Sequence, residues 1–340
     1  MRRVWITKAG LPEVLKVKEE PDPVPGERQV CIDVRAAGIN FADIMARMGM
    51  YQDAPDLPCV VGYEVAGVID EVGPGVSGVA AGDPVIAMIR FGGYASRVVV
   101  DVGQIYPKPE GWSFEEGAGM PVNYLTAYQL LVVMGSLREG NTVLIHSVGG
   151  GVGTAATQIA NIYDATIIGT ASTAKREYVK NNGVDFPIDY RTEDYVEKVL
   201  DITKGKGVDI VIDPLGGTYW KQSYQVLRST GRLLMFGASS MTAGKSRSLL
   251  SMVKTFFQIP VLRFHPLRLI NQNKGVLGVN LGHLWHEREM VQKWITQLEA
   301  WANEGWIRPH IDAVFSFEEA PAAHHYIQDR RNRGKVCLKP

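Results

Sequence analysis

The pattern of hydrophobic and polar positions changes twice along the chain, near residue 121 and again near residue 283. Before the first change, short apolar runs at 30–34, 65–69, 84–88 and 95–100 are separated by Gly, Pro and Asp. This rhythm predicts strands joined by tight turns. Helical spacing there is confined to 41–48 and 114–118. From about 123 to 281, apolar runs at 142–146, 165–170, 208–213, 232–236 and 275–281 alternate with helix-length segments at 152–163, 174–181, 192–203 and 219–227. Such alternation predicts βαβ units and a parallel sheet. The segment 283–340 opens with a long helix through Trp301 and closes on strand-like pieces at 311–315 and 335–338.

Composition narrows the classes. At 340 residues, 46% hydrophobic and 21% charged, the chain is long enough for two domains with separate cores. Its 36 Lys and Arg balance its 36 Asp and Glu, which argues against an electrostatic nucleic-acid binder. The three cysteines, Cys31, Cys59 and Cys337, form no CxxC pair, so a reducing, cytoplasmic setting is expected. The basic N-terminal residues are followed by no apolar stretch of signal-peptide type. The most membrane-like stretch, 251–270, is broken by Lys254, Pro260, Arg263, His265, Pro266 and Arg268 and does not read as a span.

The sharpest local signal lies where the apolar run Thr142-Val143-Leu144-Ile145-His146 meets Ser147-Val148-Gly149-Gly150-Gly151-Val152-Gly153 and a helix follows at once. Glycines let a backbone turn tightly against a pyrophosphate, whose charge then rests on helix N-terminal amides. Thr154 stands where the third glycine of GxGxxG would fall, so the motif is a variant with glycines at 150 and 153. In isolation the same residues also read as a glycine turn with no ligand. The next strand leads into Ser172-Thr173-Ala174-Lys175-Arg176, with no acid to receive a ribose 2′-hydroxyl. Hydroxyls followed by two cations suit a 2′-phosphate, hence NADPH over NADH, although the cations also read as the start of a solvated helix.

Further motifs occur in a characteristic order. They are Ala36-Ala37-Gly38-Ile39-Asn40-Phe41-Ala42-Asp43, the run from Arg47 to Tyr51, Gly62-Tyr63-Glu64-Val65-Ala66-Gly67, Ile188-Asp189-Tyr190, Asp213-Pro214-Leu215-Gly216-Gly217 and Gly334-Lys335-Val336. With the glycine turn, they make the sequence resemble the medium-chain dehydrogenase/reductase superfamily. The likeness is to its zinc-independent quinone oxidoreductase (zeta-crystallin-like) branch, and within that to the VAT-1-like group. The resemblance implies an α/β protein with a GroES-like β-barrel domain plus a Rossmann doubly wound parallel-sheet domain. It implies boundaries at 1–122, completed by 284–340, and 123–283, with the cofactor in a cleft between the domains.

The resemblance also implies site residues. Zinc-dependent relatives carry Cys where this chain has Asn40 and His where it has Tyr63, so no metal is expected. His283 with His286, and His324 with His325, read as surface or cap residues. Asn40, Tyr51 and Tyr63 are the candidates at the substrate end, with Tyr51 favoured as an oxygen-facing donor. Asp43 is expected to orient its neighbours and Glu64 to brace the barrel. Gly150, Gly151, Val152 and Gly153 would meet the pyrophosphate, and Ser172 and Lys175 the 2′-phosphate. Tyr190 would meet the adenosine, and Thr126, Phe236 and Gly237 would lie near the nicotinamide and ribose. The implied function is NADPH-dependent hydride transfer to a quinone, enone or similar carbonyl compound. Between 245 and 274, Lys245, Arg247, Lys254, Arg263, Arg268 and Lys274 interleave with aromatic and aliphatic residues. This segment reads either as a helix covering the cleft or a dimer surface, or as a lipid-surface helix in a nucleotide-binding protein with little catalysis. The resemblance also implies a homodimer, for which the apolar strand 275–281 offers an edge that could pair across a two-fold axis, and no nucleic-acid partner is expected.

Overall fold

In a computed structural model, which describes residues 1–239 and 264–340, the chain folds as two compact units. One comprises Met1–Leu125 with Trp285–Pro340, and the other Thr126–Leu284.

The first unit is β-rich. Strands β1 (Arg2–Ile6) and β2 (Leu15–Glu19) pair antiparallel. Next come β3 (Gln29–Gly38), β4 (Glu64–Val72), β5 (Pro84–Met88), β6 (Arg97–Asp101) and β7 (Ile105–Pro107). The order of the large sheet is β14-β15-β3-β4-β5-β7, with β6 also paired to β3. Its last two members are β14 (Ile311–Ser316) and β15 (Lys335–Lys339). Two register shifts between β3 and β4, at Cys31/Ile32 and Val34/Ala36, bend the sheet, as extra residues in one strand do. The bent sheet wraps a core of Val4, Ile6, Ile32, Val65, Ile69, Val85, Val98 and Leu338.

Polar residues inside this unit set the ends of its strands. Glu64, with no exposed surface, pairs with Lys335, which is 3% exposed. The Asn40 amide bridges them: its Nδ2 donates to Glu64 Oε1 at 2.8 Å and its Oδ1 accepts from Lys335 Nζ at 2.8 Å. The second Glu64 oxygen accepts from Val122 N at 2.7 Å. A nearby group is built on Asp43, which accepts from Asn40 N (2.8 Å), Gly62 N (3.0 Å) and the Tyr94 hydroxyl (3.0 Å). Tyr94 spends its proton on Asp43, so it accepts from His324 Nε2 at 3.3 Å. Gly62 has φ +103°, and a Cβ there would lie 2.7 Å from the Tyr94 ring. Only glycine fits between the Asp43 carboxylate and that ring.

The second unit is a parallel sheet of β8 (Thr142–Ile145), β9 (Thr166–Ala171), β10 (Phe186–Asp189), β11 (Val208–Asp213), β12 (Leu227–Met235) and β13 (Gly275–Gly278). Its order is β10-β9-β8-β11-β12-β13 with every pair parallel, the doubly wound arrangement that reverses direction at β8 and β11. Val143, Leu144, Ile167, Ile168, Ile210, Val211, Leu233 and Leu234 are all fully buried. Burial on both faces explains why these strands read as unbroken apolar runs.

The differences from expectation have physical causes. The four-residue β10 contains Pro187, which removes a ladder donor, and it sits at the sheet edge where this is tolerated. The helix expected over 192–203 begins at Tyr195, because Asp194 Oδ1 caps Val196 N and Glu197 N. The strand expected over 275–281 stops at Gly278, and the Asn280 side chain then starts a 3-10 turn by accepting from Gly282 N. Much of the basic-aromatic stretch 245–274, including Lys245, Arg247, Lys254 and Arg263, lies outside the described residues. Within the described part, Lys274 donates to Tyr224 O and lies over the Tyr224 ring. Among the described residues no helix is long and apolar enough to cross a membrane.

Two stability measurements follow from the polar groups of the first unit. Removing one member of a buried ion pair strands the other charge and costs about 3–5 kcal/mol. Lys335→Met is therefore expected to lower that unit's denaturation midpoint, and Lys335→Met with Glu64→Gln to recover most of the loss in urea titrations. The second concerns pH. Burial raises Asp43 to about 7 against the opposing hydrogen bonds of Asn40, Tyr94 and Gly62. A folded value above the unfolded 3.8 means a proton taken up on folding, so this contribution is full below about pH 4 and is lost as pH rises through about 7. His324, lowered by burial to about 3, runs the opposite way and is shared by an Asp43→Asn variant. The stability difference, wild type minus Asp43→Asn, should thus fall between pH 4 and 7, and a flat difference would contradict the assignment.

Candidate functional site

The six described strands of the second unit run the same way, so their carboxyl ends share one edge, and the glycine turn follows β8 there. Ser147 takes φ 54°, and its carbonyl accepts from Gly150 N at 2.9 Å. The helix Gly151–Ile162 starts directly after, with its first internal bond from Thr154 N to Gly150 O. The amides of Gly151, Val152 and Gly153 precede that bond and stand at the positive end of the helix dipole. No acidic side chain occupies this first turn. A Cβ on Gly153 would lie 2.6 Å from the Ser147 carbonyl oxygen, so Gly153 gives the close turn-to-helix packing that the motif needs.

The neighbouring turns gather at the same edge. A Cβ on Gly149 would meet Lys175 Cδ at 3.0 Å, so the Lys175 stem lies along the glycine turn. Ser172 O accepts from Lys175 N at 2.9 Å, holding the two ends of that short turn together. Asp189 fastens the turn to the next one: it accepts from the Thr173 amide and hydroxyl and, through its other oxygen, from Arg191 N at 3.0 Å. Those hydrogen bonds, the Thr173 hydroxyl first, hold the Asp189 carboxyl below its ordinary range. Asp189 thereby ties the turn that carries Tyr190 to the one that carries Ser172 and Lys175. The motif Ile188-Asp189-Tyr190 marked the position of this acid, although its organising role is visible only in the fold.

After β12, Phe236 N donates to Asp213 O (3.2 Å) and Ser239 N to Pro214 O (2.9 Å), which lays Phe236 and Gly237 along the 213–217 turn. Gly150, Gly151, Val152, Gly153, Ser172, Lys175, Tyr190, Phe236 and Gly237 thus lie along one sheet edge. Thr126 is buried on the helix Pro121–Tyr128.

In the first unit, Asn40, Tyr51 and Tyr63 surround the Asp43 group. Asn40 is one of the residues expected at the substrate end. The fold commits one Nδ2 hydrogen to Glu64 and the oxygen to Lys335, leaving a single amide hydrogen. Lys335 had no assigned role, because nothing in sequence order brings residue 335 beside residues 40 and 64. Tyr51 and Tyr63 meet edge to face, with centroids 6.5 Å apart, and Tyr63 packs on Phe91 at 5.2 Å. The Tyr63 hydroxyl is buried, with the Tyr51 hydroxyl as its polar neighbour. Burial first, and then the nearby Asp43 charge, raise Tyr63 well above the ordinary phenol range, while burial raises Tyr51. Both phenols therefore remain protonated donors.

Asn40 and Tyr63 offer poor metal ligands. The Asn40 oxygen, its metal-ligating atom, already accepts from Lys335, and the Tyr63 phenol keeps its proton. No three His, Cys, Asp or Glu side chains converge among the described residues. The glycine turn, by contrast, presents helix-terminal amides beside the Lys175 stem, a fit for a pyrophosphate.

Comparison with known proteins agrees with this architecture. The alcohol dehydrogenase GroES-like domain model matches residues 26–110, and the zinc-binding dehydrogenase model matches 151–298. The rat synaptic vesicle membrane protein VAT-1 homolog is 42% identical over 344 residues, spanning all of this chain and 84% of that protein. Human quinone oxidoreductase is 31% identical over 342 residues, 99% of this chain and 97% of that protein. The crystal structure of Escherichia coli quinone oxidoreductase complexed with NADPH superposes with a TM-score of 0.86 at 30% identity, covering the whole of both chains. The chain belongs to the medium-chain dehydrogenase/reductase superfamily, as a relative of the VAT-1 proteins and the quinone oxidoreductases within it.

Proposed function

We propose that this protein is a zinc-independent, NADPH-dependent oxidoreductase that reduces a quinone, an enone or a similar carbonyl compound. The observation that carries the reading is the acid-free glycine turn with the Lys175 stem laid along it and Ser172 one short turn away. A pyrophosphate would rest on the amides of Gly151, Val152 and Gly153, and a 2′-phosphate beside Ser172 and Lys175. The binding of NADPH by the Escherichia coli relative supports this choice of nucleotide.

When bound, the dinucleotide supplies the hydride. Tyr51 and Tyr63, held protonated by burial, would donate hydrogen bonds to the substrate oxygen as negative charge develops there. The remaining Asn40 amide hydrogen would help orient the reacting groups.

Fluorescence titration tests the nucleotide assignment. Wild type should bind NADPH more tightly than NADH, and Lys175→Ala with Arg176→Ala should weaken NADPH about tenfold or more while leaving NADH nearly unchanged. Equal affinity for both nucleotides in wild type would contradict NADPH preference. For the phenols, Tyr51→Phe should lower kcat/KM toward a quinone or enone by about tenfold or more with NADPH affinity retained, as steady-state assays would register. An unchanged kcat/KM would remove Tyr51 from the reaction.

A further inference from the structure

Beneath the glycine turn, five residues from four elements form a chain of hydrogen bonds whose direction can be worked out from the hydrogens each group carries. The Asp213 carboxylate, fully buried at the end of β11, accepts from Leu215 N (2.7 Å), Gly216 N (3.2 Å) and the Ser223 hydroxyl (2.7 Å). Ser223 has one hydroxyl hydrogen and gives it to Asp213. Toward His146 Nε2, 3.1 Å away, it therefore accepts, and Nε2 carries the proton. In a neutral imidazole, Nδ1 is then the acceptor, and Thr170 Oγ1 at 3.0 Å gives it the only hydrogen it has. The Thr170 lone pairs are left for the Ser147 amide at 3.4 Å, a long final link.

Independent features agree with a neutral ring. His146 is 2% exposed, and the rings of Tyr195 and Tyr219 meet it edge-on at 4.8 and 6.2 Å. Burial lowers its basicity, against the smaller pull of Asp213. A protonated ring would also present a second N–H to Thr170, whose oxygen would then face donors from both His146 and Ser147. Ser147 is the one left-handed non-glycine residue of the turn, a conformation costing about 1–2 kcal/mol in an L-residue. Its two peptide neighbours are held by the flanking strands: His146 N donates to Ile212 O and Val148 N to Thr170 O.

We infer that His146 is a positioning residue for nucleotide binding: held as its Nε2–H tautomer by a one-way chain from Asp213 through Ser223, His146 and Thr170, it fixes the Ser147 peptide from which the glycine turn presents its amides. This rests on the nucleotide reading above, because the pyrophosphate is the ligand those amides would meet. His146, buried beneath the turn, would act through Thr170 and Ser147.

The test combines a spectroscopic signature with binding. Nitrogen-15 spectra of the histidine rings in the nucleotide-free protein at neutral pH, with His146 assigned by its loss in His146→Gln, should show a neutral ring protonated on Nε2. An Nδ1–H ring, an imidazolium or an even mixture would overturn the inference. Thr170→Val, which cuts the chain while conserving shape, should weaken NADPH and NADH alike by about three- to tenfold and disturb the tautomer. Thr170→Ser should restore both. If Thr170→Val does not fold, Ser223→Ala, which cuts the chain on its other side, is expected to show the same pair of effects. Wild type that binds no nucleotide would remove the proposed function and the positioning role together, while the spectrum would still report the chain. Wild type that binds NADPH, with an interrupted chain that changes neither affinity nor tautomer, would leave the proposed function standing and overturn this inference alone.

Discussion

The burial of one carboxylate, Glu64, governs how the first unit is assembled. Removing a charge from water costs several kcal/mol unless an opposite charge and hydrogen bonds replace the solvent. Here the replacement is gathered from the sequence positions around 40, 122 and 335: the Asn40 amide, the Val122 backbone and the Lys335 ammonium. The strand carrying Lys335 pairs with β3, placing Cys337 opposite Gly38. The same Asn40 that serves the ion pair also opens the helix Phe41–Arg47, whose Asp43 ties Gly62 and Tyr94 into place. Tyr63 lies between Gly62 and Glu64, so its ring is positioned from both sides by this polar framework.

The second unit solves a different problem. Its sheet is apolar on both faces, and its chemistry is confined to the edge where the strands end. The proposed binding there would rest mainly on backbone amides, which are weak one at a time but are pre-aligned by the helix that begins at Gly151. The side chains at this edge largely hold turns in place: Asp189 joins two of them, and Asp213 anchors the 215–216 turn.

Much of this was legible in the sequence, for identifiable reasons. Parallel strands buried on both faces produce apolar runs that stand out, and a tight turn against a phosphate demands glycines at set intervals. The bracing roles of Asp43 and Glu64 were also legible, from their place within motifs. Hidden were features that depend on contacts between remote residues or on a single local override. Lys335 lies 271 residues from Glu64, and no periodicity links them. Strand β10 carries Pro187, which argues for a strand only once the edge position is known. The hydrogen bonds of His146 cross from the turn after β8 to β9 and to the helix Thr218–Gln225, a connection that no spacing along the chain encodes.

The long separation between Glu64 and Lys335 has a consequence for biosynthesis. Chains emerge at roughly 5–20 residues per second, and domains ordinarily fold in the order they appear. Glu64 leaves the ribosome 271 residues ahead of its counterion, an interval on the order of tens of seconds at that pace. During that interval the whole of Thr126–Leu284 is synthesised. The unit begun first is therefore the one completed last. The nascent protein must keep an open β-sheet and an unanswered carboxylate soluble while the inserted domain finishes folding, which makes this interval the point in its life when it most needs a chaperone.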